Sequence, residues 1–251
     1  MKLRHYLFLL LGIIFLYLFV VAVLSPVSEI KWLNSKYQET DPAEMKSKES
    51  YSNTEYRDLA LKEAYMDALL ATAKKDSICL IVDFHDSLLV LAIGGVEVHK
   101  VKIIRFRGLN FFRRLELPVV QNLFSTPLRV TQNFSCIPKE PIIIKRAPKD
   151  TTEADSPSEI PDTANKESVC FRFTTDKGII LDVRQIENAE DHKYGQYKRH
   201  EMFKWAGGLI EGAFHFQIPE YQPRIMIQIP RSEARTIYRA LPRNALIAVR
   251  V

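Results

Sequence analysis

The sequence predicts a mainly β fold of the α+β class: a mixed sheet or sandwich with one helix before it, a short helix before its last strand, and a transmembrane helix at the N-terminus. Three observations indicate this fold. Residues 6–24 contain no charged side chain. From residue 77 onward, apolar residues recur with the period of two that is typical of strands. Near the C-terminus, residues 230–241 carry apolar side chains at helical spacing.

The N-terminal apolar run is long enough to cross a membrane. As a helix, residues 6–24 extend roughly 28 Å, close to the thickness of a bilayer core. A cleaved signal peptide is the alternative, but its apolar region is usually shorter and ends in small residues, whereas this run ends in Leu24. We expect an uncleaved anchor over residues 1–25. Lys2 and Arg4 precede it, which predicts a single-pass protein of the cytoplasmic membrane with a periplasmic domain.

The charge of the chain does not indicate a nucleic-acid partner. The net charge of +5 comes from 35 basic and 30 acidic residues, and two of the basic residues are Lys2 and Arg4. The part of the chain beyond the membrane is therefore nearly balanced and lacks the basic excess of a nucleic-acid-binding domain. We expect the inner membrane as a partner, through the N-terminal helix.

Three cysteines, Cys79, Cys136 and Cys170, leave two interpretations open. None stands in the C-x-x-C spacing of a zinc site or redox pair. Three buried, unreactive thiols are one interpretation. The other is a disulfide between Cys136 and Cys170, which an oxidising compartment permits. The histidines share no ligand spacing, so we expect no metal and no cofactor.

A polar linker is predicted over residues 26–51, because this stretch has few apolar residues and no period. The extracytoplasmic domain then covers residues 52–251. It begins with a helix over residues 52–75, since Ser52 and Glu55 have the spacing of a capping box. The apolar residues that we expect on the buried face of this helix are Leu59, Met66, Leu69, Leu70 and Ala73.

A β domain is predicted over residues 77–251. It opens with three strands, the last two joined by a tight turn at Gly94 and Gly95, because paired glycines supply the positive φ of such turns. Residues 117–148 contain several short strand candidates separated by prolines. Residues 148–168 are acidic and polar, which predicts a disordered insertion.

The last 28 residues predict a strand, a helix and a final strand. In the strand over residues 224–229, one face carries Ile225, Ile227 and Ile229, and the other carries Arg224, Met226 and Gln228. The helix begins at Pro230, and its apolar stripe is Ala234, Ile237, Tyr238 and Leu241. Pro242 ends the helix, and residues 245–251 form the last strand.

Both ends of the β domain resemble the catalytic domain of the L,D-transpeptidases. The residues that match the opening of that domain are Val82, Asp83, Leu89, Leu91, Gly94 and Gly95. Those that match its close are Glu233, Ala234, Tyr238, Leu241 and Pro242. The resemblance covers roughly residues 77–107 and 224–251. It implies an L,D-transpeptidase-like fold and acyl transfer on the peptides of the cell wall.

The residues that this chemistry requires are missing from the matching positions. The resemblance implies a nucleophilic cysteine where this chain has Met226, an arginine where it has Gln228, and a histidine where it has Asp182. A thioether has no ionisable proton and cannot replace a thiolate. His215 is the alternative histidine, although it lies between two phenylalanines as a packed histidine would. We therefore expect no catalytic residue, and a ligand site formed by Arg224, Met226, Gln228 and His215.

A second candidate surface is basic. Lys100, Lys102, Arg105 and Arg107 alternate with apolar residues, and they either bind an anionic ligand or form a solvated strand face. The function expected is that of an inactive, membrane-anchored L,D-transpeptidase-like protein that binds peptidoglycan or scaffolds a complex of cell-envelope proteins. The alternatives are an active cysteine or serine acyl-transferase with a displaced nucleophile, and an envelope assembly factor unrelated to the cell wall.

Overall fold

A computed structural model describes residues 2–38, 54–139, 168–187 and 221–251, with scattered positions between 195 and 212. The fold is α+β, as predicted, with an N-terminal apolar helix and one large mixed sheet. The helices are α1 (Lys2–Gln38), α2 (Thr54–Ala73), α3 (Asn110–Arg113), α4 (Leu117–Phe124) and α5 (Arg231–Ala240). The strands are β1 (Cys79–Asp83), β2 (Leu88–Ile93), β3 (Val96–Lys102), β4 (Arg105–Arg107), β5 (Leu128–Ser135), β6 (Cys170–Thr175), β7 (Ile180–Gln185), β8 (Arg224–Ile229) and β9 (Leu246–Arg250).

Helix α1 is longer than the predicted anchor. By length and composition it could cross a membrane: its segment Ile14–Lys36 has a mean hydropathy of 1.8 and is only 6% buried. The helix continues through Pro26 to Gln38, so the first part of the predicted linker is helical. Leu33 is buried in the domain core, and the side chain of Asn34 accepts a hydrogen bond from the backbone of Glu116. Burial of Leu33 against the domain explains why the helix does not stop at the polar stretch.

The sheet has the strand order β3-β2-β1-β9-β5-β6-β7-β8-β4. Strands β1 and β9 are parallel, as are β7 and β8, and the other neighbours are antiparallel. The two edge strands, β3 and β4, follow one another in the chain. Between them, the backbone N–H of Ile103 donates to Ser87 and that of Ile104 donates to Gln228. The short link between β3 and β4 thus connects the two edges of the sheet, and the sheet has an inner and an outer face.

The inner face holds the main core and confirms the predicted ending of the chain. Ile225, Ile227 and Ile229 of β8 are fully buried there. All four residues of the predicted helical stripe are buried as well, and Tyr238 packs against Phe171 of β6 at 5.2 Å between ring centroids. This apolar burial is the main energy that holds α5 against the sheet, at roughly 1.5–3 kcal/mol for each large side chain.

The tight turn between β2 and β3 is also confirmed. Gly94 and Gly95 have φ values of 55° and 82°, which non-glycine residues rarely adopt. A Cβ on Gly95 would lie 3.0 Å from the Cβ of Ala73, so the turn also lets the end of α2 approach the hairpin.

Helix α2 buries a different face from the predicted one. The buried residues are Ala60, Ala64, Ala68 and Thr72, whereas Leu59, Met66 and Leu70 are exposed and Leu69 and Ala73 are half-buried. Small residues at every fourth position form a flat stripe, on which α2 lies close to the outer face of β1, β2 and β9. The expectation that the largest apolar residues face the core was wrong, because the close contact between helix and sheet leaves room only for small side chains.

Residues 117–124 open the segment in which we expected several short strands, but they form helix α4. Pro118 lies in its first turn, where a missing N–H costs little. The other end is held by Lys177, whose ammonium group donates to the backbone carbonyl of Leu123 at 2.5 Å and to that of Thr126 at 3.1 Å. Burial lowers the pKa of Lys177. A distant lysine therefore satisfies carbonyls that every helix end leaves open.

A disulfide joins Cys136, just after β5, to Cys170 at the start of β6, with 5.4 Å between their Cα atoms. Of the two interpretations left open by the sequence, the one with three inert thiols was wrong. Most of the predicted acidic insertion lies outside the described residues, and this disulfide connects the two ends of the chain segment that contains it.

Candidate functional site

The two positions that the resemblance assigns to the nucleophile and the histidine are neighbours in the sheet. Met226 of β8 and Asp182 of β7 are register partners in parallel strands. Register partners point to the same side of a sheet, so both side chains lie on the outer face. Neither side chain is a nucleophile of the kind that acyl transfer through a thiolate needs.

Arginines surround these two residues. In one row across the strands, the register partners are Arg172, Asp182, Met226 and Arg107. In the next row they are Arg184, Gln228 and Arg105. Arg224 follows on the same side of β8 and is exposed. We name this outer surface of β6, β7, β8 and β4 the arginine face; it carries five arginines and, among its described residues, one carboxylate.

That carboxylate, Asp182, is fully buried and held by two arginines. Its Oδ2 atom accepts hydrogen bonds from Nη2 of Arg184 at 2.6 Å and from Nη2 of Arg172 at 3.1 Å. The side chains of these arginines are only 14% and 15% exposed. Two charged donors compensate the burial of one carboxylate, which would otherwise be very costly. Because Asp182 is buried and already paired with Arg172 and Arg184, it does not neutralise the other arginines of the face.

A small cavity opens beside this ion-paired group. Its volume is about 160 Å³, and it is lined by Arg105, Phe106, Arg107, Met226 and Gln228. Met226 and Gln228 are half-buried, whereas Arg105 and Arg107 are exposed. The side chain of Phe106 packs on the inner side against Phe84, at 5.1 Å between ring centroids.

The structure divides the basic surface predicted from the sequence. Lys100 and Lys102 register with residues of β2, and Lys100 forms an ion pair with Glu97 at 2.8 Å. Arg105 and Arg107 register with β8 and belong to the arginine face. The bend after β3 separates the two pairs. His215, the predicted alternative histidine, lies outside the described residues.

None of the three cysteines is placed to act as a nucleophile. Cys136 and Cys170 are joined to each other. Cys79 is buried under α2, where its thiol donates to the carbonyl of Ala92 at 3.3 Å, and burial raises its pKa. A buried thiol with a raised pKa is a poor source of thiolate. The only free thiol is therefore unreactive and lies under α2, away from the arginine face.

Several other polar groups of the described chain have structural partners. Arg250 of β9 donates to Asp83 at 3.0 Å and lies over the ring of Tyr65, which ties β1, β9 and α2 together. Burial, followed by the charge of Asp83, raises the pKa of Tyr65 to about 12. His99 of β3 and Glu233 of α5 lie 2.6 Å apart and join the edge of the sheet to that helix.

A larger depression, of about 330 Å³, lies at the start of α5 and is lined by Glu187, Arg231, Ser232 and Arg235. The carboxylate of Glu187 already accepts hydrogen bonds from the backbone N–H of Arg231 there, at 3.0 and 3.1 Å. Within residues 2–38, 54–139, 168–187 and 221–251, no group of three or more histidine, cysteine, aspartate or glutamate residues could hold a metal ion.

Sequence reasoning missed Arg172 and Arg184. A signal was present, because each is a charged residue in a strand of buried apolar neighbours, and Arg184 is two positions from Asp182. Such a spacing places both side chains on one face of a strand. The position of Arg172 beside Asp182 depends on the register between β6 and β7, which was not predicted from the sequence.

No family model, no curated protein and no solved structure matches this chain.

Proposed function

We propose that this protein is a membrane-anchored, catalytically inactive relative of the L,D-transpeptidases, which binds cell-wall peptides through the arginine face. The observation that carries the proposal is the register of Met226 with Asp182. The two positions that the resemblance assigns to one reaction are adjacent, and in this chain they hold a thioether and an ion-paired carboxylate. The stem peptides of peptidoglycan carry carboxylates, which arginine binds well through its planar fork of donors.

A place outside the cytoplasm is part of the proposal. Helix α1 has the length and composition of a membrane anchor. The disulfide between Cys136 and Cys170 supports an oxidising compartment, since such bonds rarely persist in the cytosol. Because the end of α1 packs on the domain through Leu33, the anchor would hold the arginine face at a short distance from the membrane surface.

The test is binding of the full chain, solubilised in detergent, to purified peptidoglycan sacculi. We expect the protein to sediment with sacculi, and the double variant Arg105→Gln with Arg107→Gln to sediment at least five times less. The matched control is Lys100→Gln with Lys102→Gln, which removes the same formal charge from β3 and should bind like the wild type. Wild-type protein that stays in the supernatant would rule out wall binding.

Catalysis is tested separately on a cell-wall tetrapeptide with an amine acceptor. We expect no cross-linked product above the rate without protein, because no free thiol lies at the arginine face. Turnover that survives Cys79→Ser would show a nucleophile elsewhere in the chain and would favour an active acyl-transferase over the inactive binding protein.

A further inference from the structure

Helix α1 contacts the rest of the protein well before the end of its apolar run. The hydroxyl group of Tyr17 donates a hydrogen bond to the backbone carbonyl of Leu209 at 2.8 Å. Leu209 itself is buried. Further along α1, Val21 is half-buried and Ser25 is buried. Residues four apart lie on one side of a helix, so the side of α1 that carries Tyr17, Val21 and Ser25 is the one that protein atoms cover.

Tyr17 lies inside the part of α1 that would fill a bilayer. As a helix, residues 6–16 extend only roughly 16 Å, about half of the thickness of a bilayer core. The span therefore needs the residues up to Leu24, which lies roughly 10 Å beyond Tyr17 along the helix axis. Leu209, which is hydrogen-bonded to Tyr17, is then about 10 Å below the end of the apolar run. That is the depth that interfacial helices reach between headgroups and acyl chains.

The described residues around Leu209 have the backbone and the side chains that this depth requires. Every described position between 195 and 212 is helical, and a helix pairs its backbone groups internally, as a membrane environment demands. Met202 and Phe203 are 59% and 65% exposed, and lipid would remove their apolar surface from water. Glu211 is exposed as well, and a carboxylate in the acyl core is costly. These features suit the membrane interface rather than the centre of the bilayer.

We propose that the described helical residues from Met202 to Gly212 form a second membrane contact, in which Met202 and Phe203 insert among phospholipids on the domain side of the bilayer. This contact continues the exposed apolar surface of α1, to which Phe15 and Phe19 belong. The inference rests on the proposed role of α1 as an anchor and goes beyond the binding of the cell wall. A domain attached at two points cannot turn freely about α1, so the membrane would fix its orientation.

The test is quenching of tryptophan fluorescence by brominated lipids. The full chain is reconstituted into vesicles of phosphatidylcholine, brominated on its acyl chains, with a minor share of phosphatidylglycerol. Both native tryptophans are replaced in the variant Trp32→Phe with Trp205→Phe, and single reporters are then added. Phe203→Trp probes the proposed contact, and Val98→Trp is the matched control, because Val98 of β3 is 62% exposed. We expect lipid quenching of Phe203→Trp to be about threefold that of Val98→Trp or more, since bromine quenches only at close range.

A third reporter, Phe19→Trp, separates the contact from the anchor, because Phe19 lies in the apolar run of α1 and is 60% exposed. Quenching of Phe19→Trp without quenching of Phe203→Trp overturns the second contact and keeps the anchor. A Phe19→Trp protein that is not quenched rejects the anchor and the contact together. Equal quenching of Phe203→Trp and Val98→Trp also overturns the contact, because lipid would then reach both positions alike. Sedimentation with sacculi is measured separately and decides only the binding of the cell wall.

Folding of each reporter is checked by urea unfolding against the wild type. Met202→Trp, at the adjacent exposed position, gives an independent reading if Phe203→Trp does not fold. The same excess of quenching over Val98→Trp is expected there, and its absence overturns the contact.

Discussion

The buried carboxylate of the arginine face gives the sharpest prediction on stability. In Asp182→Asn, one neutral amide replaces the charge between two guanidinium groups. Each hydrogen bond to a charged group contributes about 1.5–3 kcal/mol, and breaking a buried ion pair from one side costs about 3–5 kcal/mol. Arg172 and Arg184 keep 15% and 14% of their side-chain surface exposed and have further contacts, which lowers the cost. We expect a loss of about 3 kcal/mol.

The assay is urea unfolding of the detergent-solubilised chain, followed by circular dichroism, together with a thermal melt. A loss of about 3 kcal/mol corresponds to a decrease in Tm of about 6–12 °C for a domain of this size. The matched control is Asp86→Asn. Asp86 also faces an arginine, Arg250 at 3.3 Å, but it is 53% exposed, and such pairs contribute little.

An Asp182→Asn protein that is no less stable than Asp86→Asn would refute the stabilising role of this ion pair. The loss on Asp182→Asn should also be smaller when Arg184 is already replaced by glutamine, because fewer charges are then left without a partner. A coupling of about 1–3 kcal/mol between the two substitutions is expected for residues in direct contact. Additive losses would show that the ion pair does not determine the stability of this face.

Three further predictions concern the framework. Replacing Cys136 and Cys170 by serine should lower the free energy of unfolding by about 4 kcal/mol, which is the chain-entropy value for a separation of 34 residues. A reductant should destabilise the wild type by the same amount and leave the stability of the variant unchanged. Because the pKa of Tyr65 is raised to about 12, its contribution to stability is complete below about pH 10 and is lost as the pH rises towards 12. Urea midpoints at pH 9 and 11 should therefore fall less for Tyr65→Phe than for the wild type, and equal decreases would contradict the assignment. Ala68→Leu should lower the free energy of unfolding by about 1–3 kcal/mol, because it overpacks the contact between α2 and the sheet. Leu70→Ala, on the exposed side of α2, should change it by less than about 0.5 kcal/mol in the same urea titration. A larger effect at Leu70 would support the buried face predicted from the sequence.

The parts of the fold that the sequence predicted are those determined by residues close together in the chain. Gly94 and Gly95 specify a tight turn by their own conformational preference. The alternation in β8 and the helical stripe of α5 are visible within a few residues, and the structure confirms both. Helix α4 was missed because its length of eight residues gives little periodic signal, and residues such as Val119 also favour strands.

The candidate site depends on contacts between residues that are far apart in the chain, and such contacts cannot be predicted from short sequence patterns. Arg172, Asp182 and Met226 come from three strands, and their row exists only because β6, β7 and β8 are neighbours in the required register. The buried face of α2 was assigned wrongly for a related reason. Periodicity identifies which residues share a face, but the distance between helix and sheet decides whether Ala68 or Leu70 is buried.

The disulfide between Cys136 and Cys170 has a consequence for proteolysis. Residues 136–170 form a covalent ring, closed by the bond between the two sulfur atoms. A protease that cuts one peptide bond within this ring opens it without releasing a fragment, so β5 and β6 stay attached to each other. Under non-reducing electrophoresis the cut protein should migrate near the intact chain, and two pieces should separate only after reduction. A single cut between these strands would therefore leave the residues of the arginine face in one covalent molecule.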